Sequence, residues 1–398
     1  MKRKGRIIFM YITNATLILP NKVQEHSYLR IENGKIAEYG FMSELQTNEN
    51  CVSLNQQFVF PGFIDEHIHG TDGVDVMDGT PEALHEISVA LIREGVTSFL
   101  ATTMTEKPEI IEQALKNIAY YQESTEECTG AELLGAHLEG PFISCVKSGG
   151  QDSTNIQKPT IEKIKDYQKI AGNKIKLVTY APEETTTAFT KYIYQQGIVP
   201  SAGHSNASYQ TIVKHLPYGL SNVTHIFNAM SPITHRDPGL AFASLYRNEL
   251  TVEIICDGHH VDKNVIDFIY NVKGANLITL VSDSMRAKNC PDGHYLHGGQ
   301  IAEKKDGCVL LPNGTICGSV LKISRAAQLF KKYTNCSLLE IAKVTSGTPA
   351  KKLAVYDRKG SIELGKDADL VVLDNTLSVK MTLAKGHILY TEKKAISD

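Results

Sequence analysis

Apolar and polar positions change rhythm twice along the chain. From about residue 10 to residue 58 the apolar stretches are short and broken by turn signals. Tyr11–Leu19 reads as a strand, Asn33-Gly34 as a hairpin turn, and Lys35–Tyr39 as the strand that follows. The far end has the same texture, with Ala368–Leu373 and His387–Tyr390 as strands and Gly360, Gly365 and Gly386 between segments. Between these ends, apolar runs of strand length alternate with helical spacing. The predicted strands are Phe58–His69, Val96–Leu100, Leu133–Glu139, Ile175–Tyr180, Ile198–His204, Leu220–His225, Thr251–Asp257 and Leu277–Asp283. One intervening helix carries a full set of signals: Thr80 as N-cap, Pro81 at the first position and Glu82 in the first turn. Leu84, Ile87 and Leu91 then share one face, and Gly95 ends it. Val261–Val272 and Ser319–Lys332 have comparable patterns.

Strands alternating with helices predict a parallel sheet with right-handed crossovers. Eight such units predict an α/β fold, a (β/α)8 TIM-type barrel rather than an open sheet. The expected organisation is a barrel over residues 59–354, with residues 1–58 and 355–398 combining as a small β-sandwich domain.

Composition supports a large folded core: of 398 residues, 42% are hydrophobic and 21% charged, which excludes disorder and a coiled coil. With 41 basic against 44 acidic residues, the net charge of −3 offers no bulk attraction for nucleic acid or an anionic membrane. No apolar run approaches the ~20 residues of a membrane span. Met1–Arg6 is basic and Ile7–Ile12 apolar, but that run is shorter than the ~7–15 residues of a signal peptide core and no small-residue cleavage site follows. The expectation is a ragged tail before a first strand, with Met10 an alternative start, in a cytoplasmic protein. Cys51, Cys128, Cys145, Cys256, Cys290, Cys308, Cys317 and Cys336 form no CxxC pair, which fits thiols in a reducing compartment.

Chemistry gathers at the C-terminal ends of the predicted strands. His67 and His69 end the first, Glu139 the third, His204 the fifth and His225 the sixth; Asp257 and His260 follow the seventh and Asp283 ends the eighth. In a barrel those ends surround one mouth, where active sites are built. Each residue alone has an ordinary reading. His67 and His69, two apart on a strand and facing the same way, could be a hydrogen-bonded surface pair. Glu139 could pair with Lys147 or an arginine, and Asp283 could cap a helix. Together, four histidines and two carboxylates on one face make a nitrogen and oxygen set suited to zinc, iron or manganese. His137 could orient a ligand from behind. His85, His215 and His387 are expected on helix surfaces or outer strands, and His26, His294 and His297 sit in polar loops without a signal of their own.

Pro61–Gly70 and Gly360–Val372 resemble the metal-dependent amidohydrolase superfamily. His137–Phe142, Gly203–Ser205, Thr224–Met230, Asp257–His260, Ser282–Met285 and Gly314–Ser319 resemble, within it, the N-acetylglucosamine-6-phosphate deacetylase family. The likeness runs in order over roughly residues 10–392. It implies that Glu139, His204 and His225 hold one divalent metal, and that His67 and His69 hold a second. It implies Asp283 as general base and acid, with metal-activated hydroxide as the nucleophile on the acetamide. Gly150, Gln151, Asn228, Ala229, Arg236, His260 and the backbone of Ile316, Cys317 and Gly318 match positions that hold the amino-sugar phosphate. Arg236 suits the phosphate because a guanidinium donates bidentately; its ordinary alternative is an ion pair with Asp237. The family is usually homodimeric, with a neighbour helping to enclose the phosphate. One departure stands out: where the family commonly has a histidine, this chain has Gln151, which can donate a hydrogen bond but carries no charge. The expectation is that the His67/His69 metal supplies the missing electrophile. The competing readings are a cyclic amidase or deaminase of the same superfamily, and a barrel kept as a non-catalytic binding module.

Overall fold

A computed structural model describes residues 9–47, 49–124 and 128–392; the basic Met1–Arg6 tail lies outside the described residues. Its centre is one eight-stranded parallel sheet whose strands follow one another in chain order. They are Phe63–Ile68, Val96–Thr102, Glu132–Glu139, Ile175–Tyr180, Val199–Ala202, Asn222–Val223, Thr251–Ile255 and Ile278–Val281. The ring closes through a parallel bridge between Ile68 and Ser284, and Asp283 N donates to His67 O at 2.8 Å. Helices Pro81–Ile92, Pro108–Ser124, Ile161–Ile170, Thr187–Gln195, Tyr209–His215, Leu240–Tyr246, Lys263–Lys273 and Ile323–Thr334 cover the outside. Strands buried on both faces read as near-continuous apolar runs, which is why the barrel was visible as a pattern. The helix at Pro81–Ile92 starts as expected, with Thr80 Oγ1 accepting from Ala83 N at 3.3 Å.

The predicted first strand, Phe58–His69, is two strands. Phe58–Pro61 pairs with Thr16–Leu17 and with Leu370–Leu373, outside the barrel. The chain turns inward at Gly62, where a Cβ would stand 2.3 Å from Thr97 Oγ1, so only glycine lets the strands meet. Strands five and six stop earlier than predicted. His204 and His225 leave the ladder because each adopts a positive φ (45° and 30°), as does Asp283 (47°) beyond the eighth strand. Such left-handed backbone in non-glycine residues costs about 1–3 kcal/mol each and gathers at functional sites.

The two β-rich ends join as one eight-stranded mixed sheet. Its order runs from His387–Thr391 through Val379–Ala384, Leu370–Leu373, Phe58–Pro61, Phe9–Ile18 and Val23–Glu32 to Lys35–Phe41, with Cys51–Ser53 also against Phe9–Ile18. It has its own apolar core, including Ile12, Leu17, Leu29, Val59, Leu370 and Val372. A charged cluster ties it to the barrel: Arg358 Nη2 reaches Glu132 Oε1 at 2.6 Å, and Lys359 bridges Glu132, at 2.9 Å, and Asp369. His215, expected on a surface, is buried, and its Nδ1 meets Thr190 Oγ1 at 2.7 Å between two helices. Among the described residues no helix is long and apolar enough to cross a membrane. All eight cysteines are free, with Cys256, Cys317 and Cys336 buried.

Candidate metal centre and active site

His67 and His69 both turn Nδ1 towards the scaffold and Nε2 towards the mouth. His67 Nδ1 lies 3.0 Å from Glu253 Oε2, and His69 Nδ1 lies 3.2 Å from Thr102 O. Their Nε2 atoms converge on the same two oxygens. Glu139 Oε2 is 3.4 Å from His67 and 3.2 Å from His69; Asp283 Oδ1 is 3.4 Å and 3.1 Å away. The other oxygen of Glu139, Oε1, faces His204 Nε2 at 3.3 Å and His225 Nε2 at 3.0 Å. Glu139 therefore stands between two groups, His67–His69–Glu139 and Glu139–His204–His225, each with its ligand atoms within 4.8 Å of one another.

Hydrogen bonding shows what these groups lack. A backbone carbonyl only accepts, so His69 Nδ1 must donate to Thr102 O, and His204 Nδ1 must donate to Lys147 O at 3.0 Å. In neutral rings that leaves lone pairs on both Nε2 atoms, aimed at carboxylate oxygens that also only accept. His204 and His225 bring their Nε2 atoms within 3.1 Å of each other, and His67 Nε2 is buried with no hydrogen-bond partner. Converging lone pairs require a positive charge among them. The residues present fit a divalent cation bound by nitrogen and oxygen, with carbonyls and carboxylates behind the rings fixing their tautomers.

Electrostatics agree with the geometry. Burial would lower the His67 imidazole, but the carboxylates of Glu139 and Asp283 hold it well above its ordinary value. Burial would raise Glu139 and Asp283; the facing imidazoles override it and both carboxyls fall below the usual range. His137 drops to about 3 through burial and the neighbouring His67, so it is a neutral ring. It belongs to a line of buried hydrogen bonds beneath the site: His137 Nε2 to Thr179 (2.7 Å), Thr179 to Thr224 (2.6 Å), Thr224 to Ser201 (2.5 Å), and Asn222 to Ser201 (2.9 Å).

One cavity of about 280 Å³ opens onto both groups. Its wall includes His69, Glu139, His204, His225 and Asp283 together with Gly150, Gln151, Asn228, Ala229, His260, Ile316, Cys317 and Gly318. His67 sits just behind the wall, fully buried. Arg236 is not brought in: it is exposed on the loop after Ser231 and makes no ion pair among the described residues, with Asp237 or any other acid. His260 is held by Asp257 Oδ2 at 2.7 Å; burial lowers its ring, and this bond raises it above the ordinary value.

Residues 58–389 match the amidohydrolase family. The chain belongs to that family. It is 38% identical over 395 residues to the N-acetylglucosamine-6-phosphate deacetylase of Bacillus subtilis (strain 168), covering 97% of this chain and 98% of the relative. It is also 30% identical over 361 residues to the N-acetylgalactosamine-6-phosphate deacetylase of Escherichia coli O157:H7, covering 90% and 94%. A solved Mycobacterium smegmatis N-acetyl-D-glucosamine-6-phosphate deacetylase in complex with N-acetyl-D-glucosamine-6-phosphate superposes with a TM-score of 0.90. It is 25% identical to this chain, with 96% of this chain and all of that one covered.

In this amidohydrolase two site residues lay outside the sequence reading. Glu253 is fully buried at the centre of the seventh strand and braces His67 from behind, while accepting from Asn222 Nδ2 at 2.8 Å and His225 N at 3.3 Å. Burial would raise this carboxyl, yet His67 and its other partners pull it down to about 2. Its signal was a lone acid within the apolar run Val252–Cys256, since a buried carboxylate must be paired. His297, which has no signal of its own in the sequence, is buried and lines the cavity. Gln151, in the cavity wall, is held from both sides. Its Oε1 accepts from Thr105 N at 2.6 Å and its Nε2 donates to Glu139 Oε2 at 2.9 Å, so the Thr105 backbone orients the amide that steadies Glu139.

Proposed function

We propose that this chain hydrolyses the acetamide of N-acetylglucosamine 6-phosphate to glucosamine 6-phosphate and acetate. The observation that carries the reading is the near full-length likeness to the Bacillus subtilis deacetylase, over a barrel mouth with the ligand chemistry such a hydrolysis needs. Glu139, His204 and His225 would hold one divalent metal, and His67 and His69 with Glu139 a second; zinc, iron and manganese all suit this donor set. A bound divalent metal supplies a water whose pKa falls to ~7 and a Lewis acid for the acyl oxygen.

Asp283 is the general base and acid of this reading. Its carboxyl is ionised at neutral pH, faces His67 and His69, and is positioned to take a proton from the attacking water and return it to the departing amine. His260, oriented by Asp257, presents a donor from the cavity wall for the sugar or its acyl oxygen. Asn228, Ala229 and the Ile316–Gly318 backbone line the remainder of the wall as contacts for the sugar. Arg236, exposed on its loop outside the cavity wall and free of any ion pair among the described residues, would take the phosphate at the rim, and the working form is a cytoplasmic homodimer in which the neighbour helps to enclose that phosphate.

The relatives do not favour a cyclic amidase or deaminase, and the complete set of histidines and acids speaks against a non-catalytic module. The products separate the reaction classes. N-acetylglucosamine 6-phosphate should yield acetate and a new primary amine in equal amounts, without ammonia. Ammonia without acetate would overturn the proposal.

A further inference from the structure

Beyond the last barrel strand the chain makes a three-stranded antiparallel meander, Gly293–His297, Gln300–Lys305 and Cys308–Leu310. Gly298 and Gly299 join its first two strands at φ of 51° and 74°, the left-handed pair that a tight two-residue hairpin turn requires. His297 pairs with Gln300, so it is the last residue before that turn. The turn is clamped over the barrel mouth. Gln300 Nε2 donates to Gly150 O at 3.0 Å, and a Cβ on Gly298 would stand 2.9 Å from Met104 Cε.

This arrangement delivers the His297 imidazole to the cavity wall, where it is 4% exposed. Its ring centre lies 6.3 Å from that of His69, with the planes at 84°. Its Nε2 lies 3.6 Å from the point where a Cβ on Gly150 would stand, and that point is 2.6 Å from Cys317 Cβ, so no side chain at 150 fills the gap. Neither ring nitrogen has a hydrogen-bond partner among the described residues, and Nδ1 is fully buried. Nε2, the nitrogen beside that gap, is thus free to meet a ligand in the cavity, since a largely buried polar ring is seldom left without a partner. The two metal-ligand groups gather without His297. Gln151, on the same wall, accepts from Thr105 N and gives one N–H to Glu139.

We propose that His297 contacts the substrate, donating from its ring N–H to the carbonyl oxygen of the N-acyl group. This rests on the reading of the chain as an N-acyl amino-sugar phosphate deacetylase. The hairpin, and not the loop bearing Gln151, then supplies the neutral donor beside the His69 side of the pocket.

The test compares His297→Leu and His297→Gln with the wild-type holoenzyme for metal content, melting temperature, kcat and KM on N-acetylglucosamine 6-phosphate. Leucine should lower kcat/KM roughly 100-fold, the scale set by losing one oxyanion donor. Glutamine, which restores an N–H, should recover about tenfold of that loss, and both variants should keep wild-type metal content. A leucine variant with kcat and KM within twofold of wild type would overturn the proposal. So would activity lost in step with metal or with folding in both variants. A wild-type enzyme that releases no acetate would instead sink the deacetylase reading, and this contact with it.

Discussion

Replacing Glu253 with glutamine should loosen metal binding without unfolding the barrel. The carboxylate is fully buried, 3.0 Å from His67 Nδ1, and also accepts from Asn222 Nδ2 and the His225 backbone. It fixes His67 as a donor at Nδ1, leaving the Nε2 lone pair for a cation. An amide at this position keeps the volume and one acceptor oxygen but places an NH2 against one of three donors. Loss of an outer partner of a metal-bound imidazole commonly weakens affinity about 10–100-fold, or roughly 1.4–2.7 kcal/mol. The folded state would lose a comparable amount, about 1–3 kcal/mol for one mismatched buried pair, so the two effects must be read separately. Competition between the protein and a chromogenic chelator gives the affinity, and thermal melts of the chelated protein isolate the folding effect. Affinity within twofold of wild type, alongside a lowered melting temperature, would show that Glu253 serves the barrel rather than the ligand and would refute the argument.

Asp283→Asn should abolish acetate release while metal content stays at the wild-type level; a metal-depleted variant would make Asp283 chiefly a ligand. Arg236→Ala should raise KM for the phosphorylated sugar about tenfold or more, on the scale of one charged hydrogen bond, with kcat and metal content little changed. Acid stability offers a check away from the site. Burial opposes ionisation of Glu132, but Arg358 and Lys359 hold its carboxyl at about 2 against an ordinary 4.5. A depressed folded pKa stabilises above the unfolded value and is lost as pH falls through the folded one. Glu132 should therefore contribute up to about 3 kcal/mol at neutral pH that disappears between about pH 4.5 and pH 2. Glu132→Gln should flatten that part of the melting temperature profile; an unchanged acid limb would contradict it.

The barrel was legible because its strands are buried on both faces and end in residues that apolar runs do not otherwise carry. His67, His69, Glu139, His204, His225 and Asp283 each mark such an end, and the ring brings them together. Strand ends were less legible, since His204 and His225 leave the ladder by positive φ, which no periodicity encodes. The split at Gly62 depends on contact with Thr97, a tertiary fact. Glu253 carried a faint signal as an acid among apolar neighbours. His297 was hidden by its hairpin: His297-Gly298-Gly299-Gln300 announces a turn, but only the folded chain shows that the turn leans into the mouth. The partners of Gln151, Thr105 and Glu139, were not legible either, because a motif position says what a residue could reach and not what holds it.

The most direct measurement is acetate release from N-acetylglucosamine 6-phosphate beside the unphosphorylated sugar, before chelation, after it, and after a divalent metal is restored. The account predicts rapid release from the phosphorylated sugar alone, lost on chelation and regained with zinc, iron or manganese. Release that persists in the metal-stripped protein, or equal release from both sugars, would contradict it.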